Sequence, residues 1–391
     1  MGSIPQPQRV DPLRVLHLVA MLHNGGAERW VVDLCQAGRS ENISMDIAVL
    51  DEIPGIFDKR ARERGIPIYH CPRGNNSLQF VRNVRRLLRE HGPYAAIHSH
   101  IHALSCFVTL AARLEGVPIR VVHSHNVVGN SSGSWGRRGY LVLARAMLRM
   151  FATAGFAPSS GSLEDLFGED WRTDPRWRVL PYGIDLSPFS APIEAMSTRA
   201  AFGIPPGALV LGSIGRLTAE KNSEFLVDVL SSVLRHRPDA YLLLVGDGPL
   251  RGQLERKARG GGYGDRLVLT GPRSDVPALL RNVPDVFVFP SPPPPRGNEA
   301  LAIAVVEAQA AGLPCVISDG IPPEAILVPE LVMQIKADAG ADKWAEAAMK
   351  QAGLRDPDVA RRALGLIKQS GHNCTVSVKS FAALYRGAAV P

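Results

Sequence analysis

No two cysteines form a CxxC, and the five present (Cys35, Cys71, Cys106, Cys315, Cys374) follow no regular spacing. An odd, irregular set lying partly in apolar surroundings argues against a disulfide framework. It fits buried thiols in a reducing, cytoplasmic setting. Aromatic residues make up only 6% of the chain and no basic segment is interleaved with them, so no nucleic-acid partner is expected. The longest apolar run, residues 300–306, is cut by Glu307. That is far short of the roughly 20 residues a membrane-spanning helix needs. No apolar stretch precedes Leu13, so no secretory leader is expected. Gln6 stands where myristoylation favours Ser or Thr. The fingerprint GxGxxG is missing as well, which disfavours a nicotinamide or flavin cofactor. Short internal repeats and long low-complexity tracts are absent.

What remains is an ordinary globular composition, 46% apolar and 21% charged, over 391 residues. That length suggests two domains. The net charge is +7, and residues 59–90 contribute nine basic against two acidic side chains. Such a patch suits phosphates, anionic lipid or simply a solvated face. Near-continuous apolar strands alternate with helical pattern in two series. The first is read at 13–20, 47–50, 66–69, 96–98 and 120–123, with helices at 27–36, 79–90 and 104–114 between them. The second is read at 209–213, 241–246, 267–271, 286–290 and 315–318. This alternation predicts an α/β fold of two doubly wound parallel sheets covered on both faces. The boundary is expected within 186–197. The domains are then 1–188, 189–370 and a terminal segment 371–391. In such sheets ligands bind outside the carboxyl ends of the strands, so two facing domains should enclose a cleft.

Candidate groups are judged by whether they sit at those strand ends. Gly25-Gly26, after the first strand, would let backbone N–H groups approach an anion at a helix start; a plain turn is the bland alternative. His98, His100 and His102 alternate along the chain, and His123 and His125 follow. A metal site of the HxHxH kind was weighed there and set aside for want of a carboxylate or another evident ligand. The segment HSHN (123–126) instead places an imidazole where it can meet a substrate hydroxyl or phosphate. Arg216 and Lys221, after the strand at 209–213, match a pyrophosphate that must be bound and then neutralised as it leaves. Residues 270–276 (TGPRSDV) offer backbone groups suited to a nucleobase edge. Glu299 and Glu307 stand eight apart in the apolar run NEALAIAVVEAQAAGLP (298–314). If a helix starts just after Glu299, its N-terminus lies between two hydroxyl acceptors, the order of hexose, pyrophosphate and ribose in a sugar nucleotide.

These segments together resemble the retaining, nucleotide-sugar-dependent glycosyltransferases of family 4, which have the GT-B fold of two Rossmann-like domains. The resemblance rests on NGGAE (24–28), HSHN (123–126), LPYGID (180–185), GRLTAEKN (215–222), LLLVGDGPL (242–250), LTGPRSDV (269–276) and the glutamate pair followed by AQAAGLPCVISD. It is closest in character to bacterial capsular and exopolysaccharide enzymes. It implies that Arg216 and Lys221 hold the donor diphosphate, that Glu299 contacts the donor sugar and that Glu307 takes the ribose hydroxyls. Pro272, Arg273, Ala300, Leu301 and Ala302 are implied donor contacts, and Gly25 and Gly26 form the loop over the phosphates. One of His123 and His125, with His123 preferred, is implied as the sugar-contacting histidine beside Asn126. It further implies a last helix, near 376–388, crossing back to the first domain, and action without a bound metal or other cofactor.

One departure stands out. The family usually has Glu-Gly-Phe-Gly where this chain has Glu299-Ala300-Leu301-Ala302, which bears on donor identity and on competence. The expected partners are a nucleotide diphosphate sugar, UDP-linked in the family pattern, and an acceptor hydroxyl on a lipid-linked glycan or a small molecule. Residues 79–90 and 135–151 mix arginines with apolar side chains, which suits peripheral contact with an anionic membrane or, more plainly, helices packed on a sheet. A catalytically silent nucleotide-sugar-binding protein and a histidine-based metallohydrolase are the rival readings.

Overall fold

The computed structural model describes residues 11–23, 25–125, 135–191, 198–297 and 299–388. Two parallel sheets organise them. The first contains β1 (Leu13–Val19), β2 (Ile43–Val49), β3 (Ile68–His70), β4 (Ala96–Ser99), β5 (Ile119–His123), β6 (Ala154–Ala157) and β7 (Trp177–Val179). Its spatial order is β3-β2-β1-β4-β5-β6-β7. The second contains β8 (Val210–Ile214), β9 (Tyr241–Val245), β10 (Leu267–Gly271), β11 (Val286–Phe289), β12 (Cys315–Ser318) and β13 (Val332–Ile335), in the order β10-β9-β8-β11-β12-β13. Each sheet grows outward in both directions from its first strand. The chain direction therefore reverses between β1 and β4 and again between β8 and β11, and crevices open at those points.

The strands read as continuous apolar runs because helices cover both faces. In β1 the last five residues are all buried. The layer helices show the complementary stripe. The helix Ser77–His91 is capped by Asn76, whose side chain accepts from the Gln79 N–H, and buries Phe80, Val81, Val84, Leu87 and Leu88. Those positions fall on one side at a 3.6-residue period, which leaves the arginines between them facing outward. Strands β6, β7 and β13 were not anticipated. They are three or four residues long; three of the four residues of β6 are small, and β13 is only partly buried at a sheet edge, so none carries a strong apolar signal.

The chain's last helix, Cys374–Tyr385, leaves the second domain's neighbourhood and packs on the helix Gly26–Gly38 of the first. Asn373 caps it by accepting from the Thr375 N–H. Backbone bonds between Ile184 and both His372 (2.8 Å) and Cys374 (3.0 Å) pin its start. Phe381 and Tyr385 are then wholly enclosed, each a burial worth about 1.5–3 kcal/mol. Tyr385 Oη lies 2.6 Å from His98 Nδ1 in β4. The last residues of the sequence thus complete the first domain's interior.

Candidate active site

The loops after β1, β4, β5, β8 and β11 converge on one cleft of about 570 Å³ between the two sheets. Two helix N-termini meet there. The helices Gly26–Gly38 and Ile303–Ala310 both begin without a side-chain cap, so their first N–H groups and positive dipole ends face the cleft unopposed by a capping side chain. Glycine at 26 permits the approach, because a Cβ there would stand 2.9 Å from Ile303 Cδ1 across the gap. At Gly25 a Cβ would fall 1.9 Å from Glu28 Oε2.

The charged groups of the cleft hold one another. Lys221 Nζ pairs with the Glu299 carboxylate, with only 8% of the Glu299 side chain exposed. Arg216 pairs with Glu220. Arg29, on the first-domain helix, donates to Glu307 Oε1 at 3.2 Å on the second-domain helix and also approaches Asp33 at 3.6 Å. Burial pushes the Glu307 carboxyl above its usual range, and the Arg29 guanidinium partly offsets this. Arg29, Arg216 and Lys221 are each therefore kept in place by a carboxylate.

The chain between the two glutamates differs from the sequence-based expectation. The helix begins at Ile303, not just after Glu299, so Glu307 lies in its second turn. The cause is Ala302, which sits in the left-handed region at φ 61°, ψ 65° and caps the helix. Ala302 thus takes the backbone conformation that glycine would favour at the same place.

Five imidazoles stack beneath the first-domain wall. His17, His98 and His123 are wholly enclosed, whereas His100 and His125 reach the cleft. Trp30, from the Gly-Gly helix, packs among them, with its ring 4.9 Å from His123 and 5.1 Å from Tyr182. Two pairs of rings are close to parallel, 6° between His123 and His125 and 8° between His17 and His100, whereas His100 and His125 meet at 29° and His17 and His98 at 36°. Groupings of His17, His98 and His100 and of His100, His123 and His125 bring ligand atoms within 4.8 Å of one another. Burial pushes His17 and His125 down to about 3 and the other three well below the ordinary imidazole value, so all five are neutral.

Of the residues expected to act together, the cleft gathers Gly25, Gly26, Arg216, Lys221, Glu299, Ala300, Leu301, Ala302, Glu307 and His125. His123 stands behind His125, with neither ring nitrogen partnered among the described residues, and does not line the cleft. Of the two, His125 lines the cleft and His123 does not, since the strand ends at His123 and only the loop beyond it reaches the opening. Pro272 and Arg273 do not line the cleft either. Arg273 forks onto Asp275 at 2.8 and 2.7 Å and stays at its own turn. Asn126 lies outside the described residues. The sequence reading gave no role to Arg29, which follows the quoted NGGAE, or to Tyr182, which lies within the quoted LPYGID. It weighed His100 only as a metal ligand.

Comparison with known proteins agrees with this architecture. The family described as "Glycosyl transferases group 1" matches residues 208–350, and "Glycosyl transferase 4-like domain" matches residues 25–183. EpsF of Bacillus subtilis, which is named as a glycosyltransferase, is 34% identical over 88% of this chain and 89% of its own. An Escherichia coli UDP-Gal:alpha-D-GlcNAc-diphosphoundecaprenol alpha-1,3-galactosyltransferase is 31% identical over 58% of each chain. Among solved structures, Anabaena HepE in complex with UDP superposes with a TM-score of 0.76 at 19% identity, covering 96% of this chain and 100% of that one. The fold is thus the GT-B arrangement of two Rossmann-like domains.

Two outcomes follow from the site's packing. Ala302→Gly should be nearly neutral for stability. Relief of the left-handed strain gains about 1–2 kcal/mol, but the lost buried methyl costs about 0.8 kcal/mol and the freer unfolded chain about 0.4–1 kcal/mol. Ala302→Val should instead lower the urea midpoint clearly, because a β-branched residue is poorly tolerated at φ 61°; equal midpoints for the two variants would contradict the assigned backbone. The second outcome concerns acid. His17 is held near 3 when folded, against about 6.5 when unfolded. Below about pH 6.5 the unfolded chain takes up protons that the folded chain refuses, so stability falls with pH at up to about 1.4 kcal/mol per unit for each such histidine. With His98 and His123 lowered in the same way, the urea midpoint should drop steeply between pH 7 and 5.5. A flat profile would show that the rings are not buried neutral.

Proposed function

The chain belongs to the group 1 glycosyltransferases, and from that footing we propose that it moves a hexosyl or N-acetylhexosaminyl group from a UDP-linked donor to an acceptor hydroxyl with retention of anomeric configuration. The observation that carries this reading is the uncapped helix start at Ile303, flanked by Lys221 and Arg216 and bounded by Glu299 and Glu307. In the proposed mechanism the diphosphate sits on the Ile303 N-terminus and takes Lys221 and Arg216 from their carboxylates. Glu299 is released to accept hydroxyls of the donor sugar. Glu307, steadied by Arg29, accepts those of the ribose. As the glycosidic bond lengthens, negative charge grows on the leaving phosphate and positive charge on the sugar ring. Fixed cations and N–H groups stabilise the former without a metal ion. No side chain is assigned as a covalent nucleophile. The UDP complex of HepE supports a uridine nucleotide. Because Ala302 already takes the turn that glycine would take, the Glu-Ala-Leu-Ala departure does not remove the donor's seat.

The acceptor is assigned to the first domain, with His125, His100 and Tyr182 at the cleft wall. A polysaccharide or glycolipid intermediate fits best, because an outer face of that domain suits a lipid surface. On the helix Trp135–Phe151, Val142, Leu143 and Met150 are 65%, 56% and 74% exposed. The helix Ser105–Leu114 separates it from Ser77–His91, where Leu78 is 60% exposed beside Arg82 and Arg86. Apolar side chains among arginines match an anionic headgroup layer.

The test of the transfer is direct. With a UDP-sugar and acceptor giving turnover, Lys221→Ala and Glu299→Gln should each lower the rate about 10²–10³-fold, and EDTA should leave the wild-type rate unchanged. Wild-type turnover by either variant would overturn the assignment. For the membrane face, the protein should sediment with phosphatidylglycerol vesicles, and salt should release it. Equal behaviour with phosphatidylcholine vesicles would count against the surface.

A further inference from the structure

Both ring nitrogens of His125 are engaged inside the protein, so the imidazole at the cleft wall has nothing left to offer a substrate. Its Nδ1 lies 2.6 Å from Tyr182 Oη, and its Nε2 lies 2.7 Å from His100 Nδ1. His100 Nε2 in turn lies 3.0 Å from His17 Nδ1. There the chain stops, because His17 Nε2 has no partner among the described residues. A neutral imidazole carries one N–H and one lone pair. Three neutral rings in series therefore satisfy all three contacts in only two ways, each running in a single direction.

In one direction Tyr182 donates to His125, His125 to His100 and His100 to His17, which strands the Nε2–H of His17 in the core. In the other, His17 donates from Nδ1 to His100, His100 from Nδ1 to His125, and His125 from Nδ1 to the phenol oxygen of Tyr182. The phenol hydrogen is then free to point away from the rings. Two features select this second direction. A stranded N–H is the rarer and costlier orphan, whereas here only a lone pair is stranded. At the other end, Glu28 and Glu299 line the same cleft as Tyr182, and carboxylates there favour a hydrogen directed toward the cleft.

We propose that Tyr182 is the hydrogen-bond donor that grips a carbohydrate oxygen in the cleft, and that His17, His100 and His125 are positioning residues whose one-way chain keeps its hydroxyl aimed outward. This rests on the transfer reading for the identity of the ligand, but the direction of the chain does not.

The direction is read by NMR of the free protein labelled with ¹⁵N-histidine. All three rings should show the Nδ1–H tautomer, the minor form of free histidine in solution. Nε2–H at these rings would overturn the proposal, whether or not the protein proves to be a transferase. Tyr182→Phe keeps the ring packing and should lower kcat/KM for transfer 10–100-fold. Tyr385→Phe deletes a comparable phenol–imidazole bond to His98 away from the cleft and should leave kcat/KM unchanged. Wild-type kcat/KM in Tyr182→Phe, or equal losses in the two variants, would refute the role of Tyr182.

Discussion

A carboxylate as deeply enclosed as Glu307 needs a positive partner, and in this protein the partner comes from the other domain. Arg29 reaches it from the helix that starts at Gly26. The same short helix carries Trp30 into the imidazole stack and brings Gly26 against Ile303. One element thus sets three things together: the closeness of the two domains, the charge balance of the cleft and the packing behind its wall. Without Arg29 the burial of Glu307 would be uncompensated, an arrangement that typically costs 3–5 kcal/mol. The other cations follow the same logic. Lys221 and Arg216 are each held by a carboxylate.

The first domain's interior is unusual in what it encloses. Five neutral imidazoles, Trp30, Tyr182, Phe381 and Tyr385 fill the space that aliphatic side chains would normally occupy. Such a core is specific as well as cohesive, because each hydrogen bond between rings requires a defined tautomer. It is also completed only by the chain's last helix, whose Tyr385 meets His98 across a separation of 287 residues.

Much of this was legible beforehand, and the gaps have physical causes. Alternating apolar strands announced two parallel sheets, because a strand covered on both faces must be apolar throughout. Strands such as Ala154–Ala157 escaped notice because small residues give no such contrast. Alternation along β5 suggested that His123 and His125 share a face, but it does not say where the strand ends. Only the end of the strand decides which ring meets the cleft. Arg273 looked like a donor contact from its motif and proved to be bound to Asp275 beside it. Tyr182 lay within a quoted segment, LPYGID, but nothing in the sequence pointed to its hydroxyl, which only the fold sets against His125.

By itself, then, the sequence determined the fold class, the strand-end placement of Gly25-Gly26, Arg216, Lys221 and Glu299, and the glutamate pair, because these depend on local periodicity and on spacing along one chain. Only the tertiary structure decided that Arg29 compensates Glu307, that His125 and not His123 stands at the opening, and that a line of imidazoles ends on Tyr182. Each of those is a contact between segments distant in the chain, and its energy comes from burial and hydrogen bonding that no single segment possesses before the two sheets and the last helix come together.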